Sequence, residues 1–353
     1  MIDSIQELNR KIEVLISYIV SNRNIKVFIN DVKKEQGNFQ QYALWLEFNN
    51  LDSRIFEYKS YIISLYGCFE KYIESVLSEY INNVCCLHLK YNDLPEDIIL
   101  NNLKKNAELL NVLDYPKNRN LDEKILISNL NDNLNNKVPL INTDAFCQHS
   151  SNFRIVSIGE YFKSVGLSSI GKEISSYEPL KSALDEIHYD YARLELTKTY
   201  NVIDELAERR NIIAHGGDDT DILDSDEILK MCNFIHSFCN ALNLYLFDKI
   251  LERIIVSTND KIIPNKYLLE PIAVYGERIL CVNSNNLEVS IGSKILIERN
   301  VIPKFILSSI KSIQVNGNSV NEISSTESID IGLELSDKIK NTNTFYLVDS
   351  ISI

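Results

Sequence analysis

The spacing of apolar residues changes once along this chain, and that change limits the fold more than any other feature. Up to about Arg253 apolar residues recur at the three-to-four-residue interval that buries one face of a helix. Beyond Ile255 they alternate with polar residues, as in a strand with one buried side. The expectation is an α+β chain, helical over residues 1–255 with its core at about 51–253, and strand-rich over 256–353. A length of 353 residues is enough to bury two cores.

Within the helical part, Ile5 to Val20 has helical spacing, and a longer helix places Ile55, Tyr58, Ile62, Leu65, Phe69, Ile73 and Leu77 on one side. Leu94-Pro95-Glu96-Asp97 reads as a helix start, with proline early and acids in the first turn, followed by helix to Leu110. Asp114 to Phe146, rich in Asn and Asp, predicts short helix and surface loop. Helical spacing returns from Asn152 to Val165, ending at Gly166. It recurs from about Pro179 to Ala214 with a break near His188, and again from Ser225 to Arg253. The segment from Asn24 to Leu51, which holds Trp45, has no clear assignment. In the strand-rich part, Ile313-Gln314-Val315 runs into Asn316-Gly317, a pair that tolerates the positive φ of a tight hairpin, and Ile329, Ile331, Leu333 and Leu335 alternate with polar residues.

Composition narrows the functional classes. No apolar run is long enough to cross a bilayer, and Met1-Ile2-Asp3-Ser4-Ile5-Gln6-Glu7 lacks the layout of a secretory signal. Seven irregularly spaced cysteines predict reduced thiols, so a cytoplasmic location is expected. A net charge of -13 argues against non-specific, high-affinity nucleic-acid binding. It leaves room for a small recessed site in which nearby Arg sets the field.

The segment Arg210-Asn211-Ile212-Ile213-Ala214-His215, followed by Gly216-Gly217, stands out chemically. At about 100° per residue, Asp204, Glu208, Asn211 and His215 share one helix face. Val202, Leu206 and Ile213 fall opposite, with Ile203 and Ala207 beside them. Arg210 projects between Leu206 and Ala214 on the apolar side, where an unpaired guanidinium is costly. The expectation is that this side meets a second subunit and that the guanidinium finds a phosphate or carboxylate there. His215 sits where the glycine pair ends the helix, and imidazole exchanges protons near neutral pH. Asn211, one turn earlier, can hydrogen-bond to the imidazole or to a substrate. An Arg and a His at this spacing occur by chance in many helices; the helix end, the glycines and the flanking long helices make the combination rarer.

At Leu206-Ala207-Glu208-Arg209-Arg210-Asn211-Ile212-Ile213-Ala214-His215-Gly216 the chain resembles the HEPN superfamily, whose ribonuclease members carry an Arg-x(4 to 6)-His motif. It looks most like the RiboL-PSP and MAE-type branches, in which an RN-x-x-AHG string ends a long helix. The resemblance spans about Leu51 to Arg253, with Phe69-Glu70-Lys71-Tyr72-Ile73 in the family's first long helix. It implies a helical bundle that forms a homodimer, two Arg-His motifs meeting in a composite active site, and RNA cleavage without metal or other cofactor. Arg210, Asn211 and His215 are the catalytic candidates. A neutral His would take the 2′-OH proton, and the partner's protonated His would donate to the leaving oxygen.

Other residues have structural and chemical readings side by side. Cys232, His236 and Cys239 could offer three zinc ligands, but the same spacing describes the inner face of a packed helix, and no fourth ligand is evident. Cys85-Cys86 with His88, and Cys147-Gln148-His149, read as structural or surface residues without a third partner. Glu70 and Lys71 could reach the motif or form a solvated face. Asp204 and Glu208 could orient the imidazole, and Arg209 could hold RNA or be solvated.

The run Lys311-Ser312-Ile313-Gln314-Val315-Asn316-Gly317, with Ile329 to Leu335 after it, resembles the small β-barrel that forms the second domain of translation GTPases. That resemblance implies a tRNA- or ribosome-facing role; a dimer-buttressing or partner-binding module is the alternative. The combined expectation is a HEPN-type RNA endonuclease acting as a toxin or phage-defence effector, with an antitoxin or sensor as partner. Its competitor is a non-catalytic HEPN dimer that binds nucleic acid or a regulatory partner.

Overall fold

A computed structural model describes residues 2–34, 51–217, 221–256, 266–284, 287–325 and 328–348. Trp45, Asp218 and Asp219 lie outside the described residues, as does the 257–265 stretch beside the expected domain boundary. The chain divides into two compact units. One is Met1–Glu79, Glu96–Asn111 and Thr143–Asn243; the other is Tyr80–Pro95, Val112–Asn142 and Leu244–Ile353.

The described helices are α1 (Ile2–Lys34), α2 (Leu51–Cys86), α3 (Glu96–Leu110), α4 (Glu123–Leu134), α5 (Thr143–Phe146), α6 (Ile155–Lys163), α7 (Ile170–Ile174), α8 (Leu180–Ile187), α9 (Leu196–Thr199), α10 (Asn201–Ala214) and α11 (Ser225–Val256). The stripe expected on α2 is its buried side: Tyr58, Ile62, Leu65, Phe69, Ile73 and Leu77 are all buried. In the first unit, Phe69 meets Phe238 of α11 edge-on at 6.0 Å between ring centres. Tyr200, at the start of α10, meets Phe238 at 5.7 Å. The Tyr72 hydroxyl donates to the Cys239 carbonyl at 2.7 Å, so α2, α10 and α11 share one core. Gly166 takes φ +87°, the left-handed turn that favours glycine, and a Cβ there would lie 2.8 Å from the Asp97 carboxylate, which would have to shift.

Two expectations change. The stretch from Pro179 to Ala214 does break at His188, but a 3-10 turn at Tyr191–Arg193 and the short α9 follow before α10 begins. The Asn-rich segment is not simply a surface loop, because Asn118, Asn133 and Asn142 are buried. Their amides donate to the carbonyls of Val112 at 2.8 Å, Leu140 at 2.9 Å and Leu126 at 2.9 Å. Asparagine is used there to satisfy backbone carbonyls, which composition alone reads as exposure.

The second unit holds the strands: β1 (Lys266–Leu269), β2 (Pro271–Tyr275), β3 (Ile279–Asn283), β4 (Leu287–Ser290), β5 (Lys294–Glu298), β6 (Phe305–Val315), β7 (Asn318–Val320), β8 (Glu322–Ser325), β9 (Asp330–Leu335) and β10 (Thr344–Val348). Antiparallel pairing follows the order β1-β10-β5-β6-β9-β3-β2, with β7 on β6 and β4 paired with β8, which gives a nearly closed barrel. Leu280, Val282, Ile295, Ile297, Leu333 and Phe345 lie in its core. Asn316 and Gly317 take φ +48° and +81° between β6 and β7, the hairpin that the Asn-Gly pair predicts. In the same unit, the buried Asp248 of α11 accepts from the backbone N–H groups of Lys304 at 3.0 Å and Phe305 at 2.6 Å, anchoring the start of β6.

Candidate functional site

Helix α10 buries Ile203, Leu206, Ala207 and Arg209, and leaves Glu208, Ala214 and His215 exposed. It ends as the glycine pair predicts. Gly216 takes φ +73°, its N–H donates to Ile213 at 3.1 Å, and the Gly217 N–H donates to Ile212 at 2.9 Å. His215 is the capping residue with φ -91° and ψ 9°, outside helical geometry. Its exposed ring makes no hydrogen bond to a described residue. The His215 N–H still donates to the Asn211 carbonyl at 3.1 Å, and Asn211, one turn earlier, is half-buried.

Arg210 is half-buried. Its Nη1 donates to the Asn152 side-chain oxygen at 3.1 Å, and its guanidinium lies 5.1 Å from the centre of the Tyr66 ring. Within its own chain, Arg210 finds neighbours on α2 and in the 152–155 segment, and Ala214 on the same side of α10 is exposed. Tyr66 is buried and receives the Phe153 N–H at 2.9 Å, while its hydroxyl donates to Glu70 at 3.2 Å. Burial, and then the Glu70 charge, raise the Tyr66 pKa, so it remains a neutral donor. Asn152 also donates to the Ala207 carbonyl at 3.4 Å.

Arg209 is neither solvated nor free for RNA. It is 8% exposed, and it donates to Glu205 at 2.8 Å, to the Tyr58 hydroxyl at 2.9 Å, and to the Asp221 carbonyl and carboxylate at 2.6 and 3.1 Å. It therefore ties α10 to α2 and to the start of the segment leading into α11. Asp204 and Glu208 are also occupied otherwise than expected. Asp204 accepts from the Ile155 N–H at 2.9 Å, capping the start of α6, and Glu208 pairs with Arg154. Neither orients His215.

Of the two α2 candidates, Glu70 reaches the Arg210 neighbourhood through Tyr66. Lys71 instead lines a groove with Ser4, Glu7, Leu8 and Lys11 of α1. His149 has the partner that its sequence neighbourhood did not reveal, because its Nε2 lies 3.0 Å from Glu74 of α2 and its Nδ1 lies 3.0 Å from the Ser151 carbonyl. The hydrogen bond to Glu74 raises its pKa against the opposing effect of burial. Beside it, burial pushes the Cys147 thiol up to about 12, which makes it a poor nucleophile. Cys232 and Cys239 are fully buried, matching an inner helix face, and no cluster of three metal ligands occurs among the described residues. Cys85 and His88 are buried while Cys86 is exposed.

Tyr66, Asn152 and Glu74 are site neighbours that sequence reading missed. Tyr66 and Glu74 left a trace, four residues before and four after Glu70 on the same face of α2.

A helical domain in which the Arg-x4-His string ends a helix, packed on a long α2 and α11, is of the HEPN superfamily class. A family model for RiboL-PSP-HEPN matches residues 21–248, and the chain belongs to that family. No curated protein matches it. No helix among the described residues is long and apolar enough to cross a membrane.

Proposed function

We propose that the protein is a metal-independent RNA endonuclease in which Arg210, Asn211 and His215 act on one phosphodiester. The observation that carries this reading is the pairing of an exposed His215 at a non-helical cap with a held Arg210 one turn back. His215, when neutral, takes the ribose 2′-OH proton, and that oxygen attacks the adjacent phosphorus. The bond to the 5′-oxygen then breaks, with a proton delivered by the protonated His215 of a second copy. Arg210 stabilises the charge that builds on the phosphorane oxygens, and Asn211 orients imidazole or substrate. The products are a 2′,3′-cyclic phosphate and a 5′-OH, and DNA is not a substrate. The family membership supports an RNA-directed role, and a toxin or phage-defence setting fits it. The barrel would select the RNA, tRNA or ribosomal, or respond to an antitoxin or sensor.

The test is cleavage of RNA in EDTA by wild type and His215→Ala, with the product ends identified. Persistence in chelator and loss in the variant support the scheme; loss in chelator alone overturns it. A non-catalytic, dimeric binding module is the second reading, favoured by the net charge of -13. Equal tolerance of wild type and His215→Ala on expression, with no cutting by either, would establish it.

A further inference from the structure

His149 stands between two groups that can only accept hydrogen bonds. The Ser151 carbonyl lies 3.0 Å from Nδ1, and the Glu74 carboxylate lies 3.0 Å from Nε2. A neutral imidazole has one N–H, so in either tautomer one ring nitrogen would turn its lone pair towards an oxygen lone pair. Only the imidazolium, with two N–H groups, satisfies both contacts. The charged neighbours, Glu74 and Glu70, favour the imidazolium, against the opposing effect of burial. From α2 the ring faces Glu74 and, further off, Glu70; from α6 it faces the edge of Tyr161; in its own segment it lies on Phe153, 4.3 Å between ring centres.

The segment held in this way carries the neighbours of Arg210. Asn152, next to Ser151, accepts from the guanidinium, and the Phe153 N–H donates to the hydroxyl of Tyr66, whose ring lies under that guanidinium. We propose that His149 is a proton-dependent positioning residue for Arg210. As an imidazolium it ties α2 to the 149–153 segment and so holds Asn152 and Tyr66 in the places that aim the guanidinium. This rests on the reading of Arg210 as the group that binds the reacting phosphate. Deprotonation of His149 costs one of the two bonds; the segment, still tied to α2 through Phe153 and Tyr66, is then held less firmly, and Arg210 loses order without being altered itself.

The experiment uses full-length protein with 15N-labelled histidine and arginine. The expected result is that both ring nitrogens of His149 resonate as imidazolium near neutral pH. As pH rises through the His149 midpoint, the Arg210 Nε–H loses order. Glu74→Gln should lower that midpoint and carry the Arg210 transition with it, while His149→Gln should leave Arg210 mobile at every pH. A neutral tautomer near neutral pH, or an Arg210 signal indifferent to the His149 titration, overturns the proposal. In RNA cleavage with EDTA, Glu74→Gln should move the alkaline limb of kcat to lower pH and reduce kcat there by roughly tenfold to a hundredfold, with KM little changed. An unmoved limb also counts against it. If no form of the protein cuts RNA, the nuclease reading falls, and the two NMR measurements still decide the latch.

Discussion

Arg209 and Arg210 are consecutive, and about 100° of helix rotation separates them. Arg209 is 8% exposed and has hydrogen bonds on several sides, to Glu205, Tyr58 and Asp221. Arg210 is half-buried, with one hydrogen bond to Asn152 and an aromatic ring beneath it. A guanidinium whose donors are filled by its own chain is a structural cross-link. One held at a single nitrogen and over a ring retains donors for a ligand. The first arginine cross-links the motif helix to its neighbours, and the second is the one that the proposed nuclease reading assigns to substrate.

The largest expected effect lies on the Arg210 side. Arg210→Ala should reduce RNA cleavage in EDTA about 10²–10³-fold, while its free energy of unfolding in urea falls by less than about 1 kcal/mol. If the variant unfolds instead, Arg210 is a structural residue and the contrast fails. Arg209→Ala should reverse the pattern. It removes the buried and part-buried hydrogen bonds that join α10 to Tyr58 and Asp221, and we expect a loss of about 3 kcal/mol in urea unfolding. Arg209→Lys should recover little, since one ammonium cannot reach acceptors spread around a guanidinium fork. A stable Arg209→Ala that has lost only cleavage would exchange the roles of the two residues.

A smaller effect is expected at Asp204, whose carboxylate caps α6 next to the Arg210 neighbours. Asp204→Ala should cost about 1 kcal/mol and lower cleavage modestly; no change in thermal midpoint would show that the cap is dispensable. The smallest effects are pH slopes with opposite signs at two histidines. The folded-state pKa of His149 is raised, chiefly by the Glu74 hydrogen bond, so its bridge contributes fully below the unfolded-state value and fades as pH rises through the folded one. The stability gap between wild type and His149→Gln should therefore shrink on the alkaline side. His88 is buried, with no hydrogen-bond partner at either ring nitrogen among the described residues, and burial followed by the Arg253 charge lowers its pKa. Its neutral ring is favoured in the folded state, so stability is lost as pH falls below the unfolded-state value towards the lowered one. His88→Phe should reduce that acid-side loss in urea titrations, and parallel slopes for the two histidines would refute their assigned environments.

Much of the fold was legible because its signals are local. Leu94-Pro95-Glu96-Asp97 predicted the start of a helix to Leu110, and α3 spans Glu96–Leu110. The Asn316-Gly317 pair predicted the β6–β7 hairpin, and alternation over Ile331, Leu333 and Leu335 marked the inward side of β9. The buried asparagines were misread because their partners are backbone carbonyls six to sixteen residues away, which leave no pattern in composition. The neighbours of the motif were misread for a related reason. Asn152 is 58 residues from Arg210, and His149 is 75 from Glu74, separations that no helical period spans.

By itself, the sequence determined that a helix carrying Arg210, Asn211 and His215 would stop at Gly216, and that strands would follow the helices. Both are consequences of backbone geometry within a few residues. Only the tertiary structure decided which of two adjacent arginines is a cross-link, and that the other rests on Tyr66 and Asn152. A helical wheel fixes the angle between side chains, but what lies at each angle depends on packing against α2 and the 149–155 segment. Ile213 and Ala214, which drew the apolar sector towards Arg210, are half-buried and exposed, and the buried sector is centred nearer Ile203, Leu206 and Arg209.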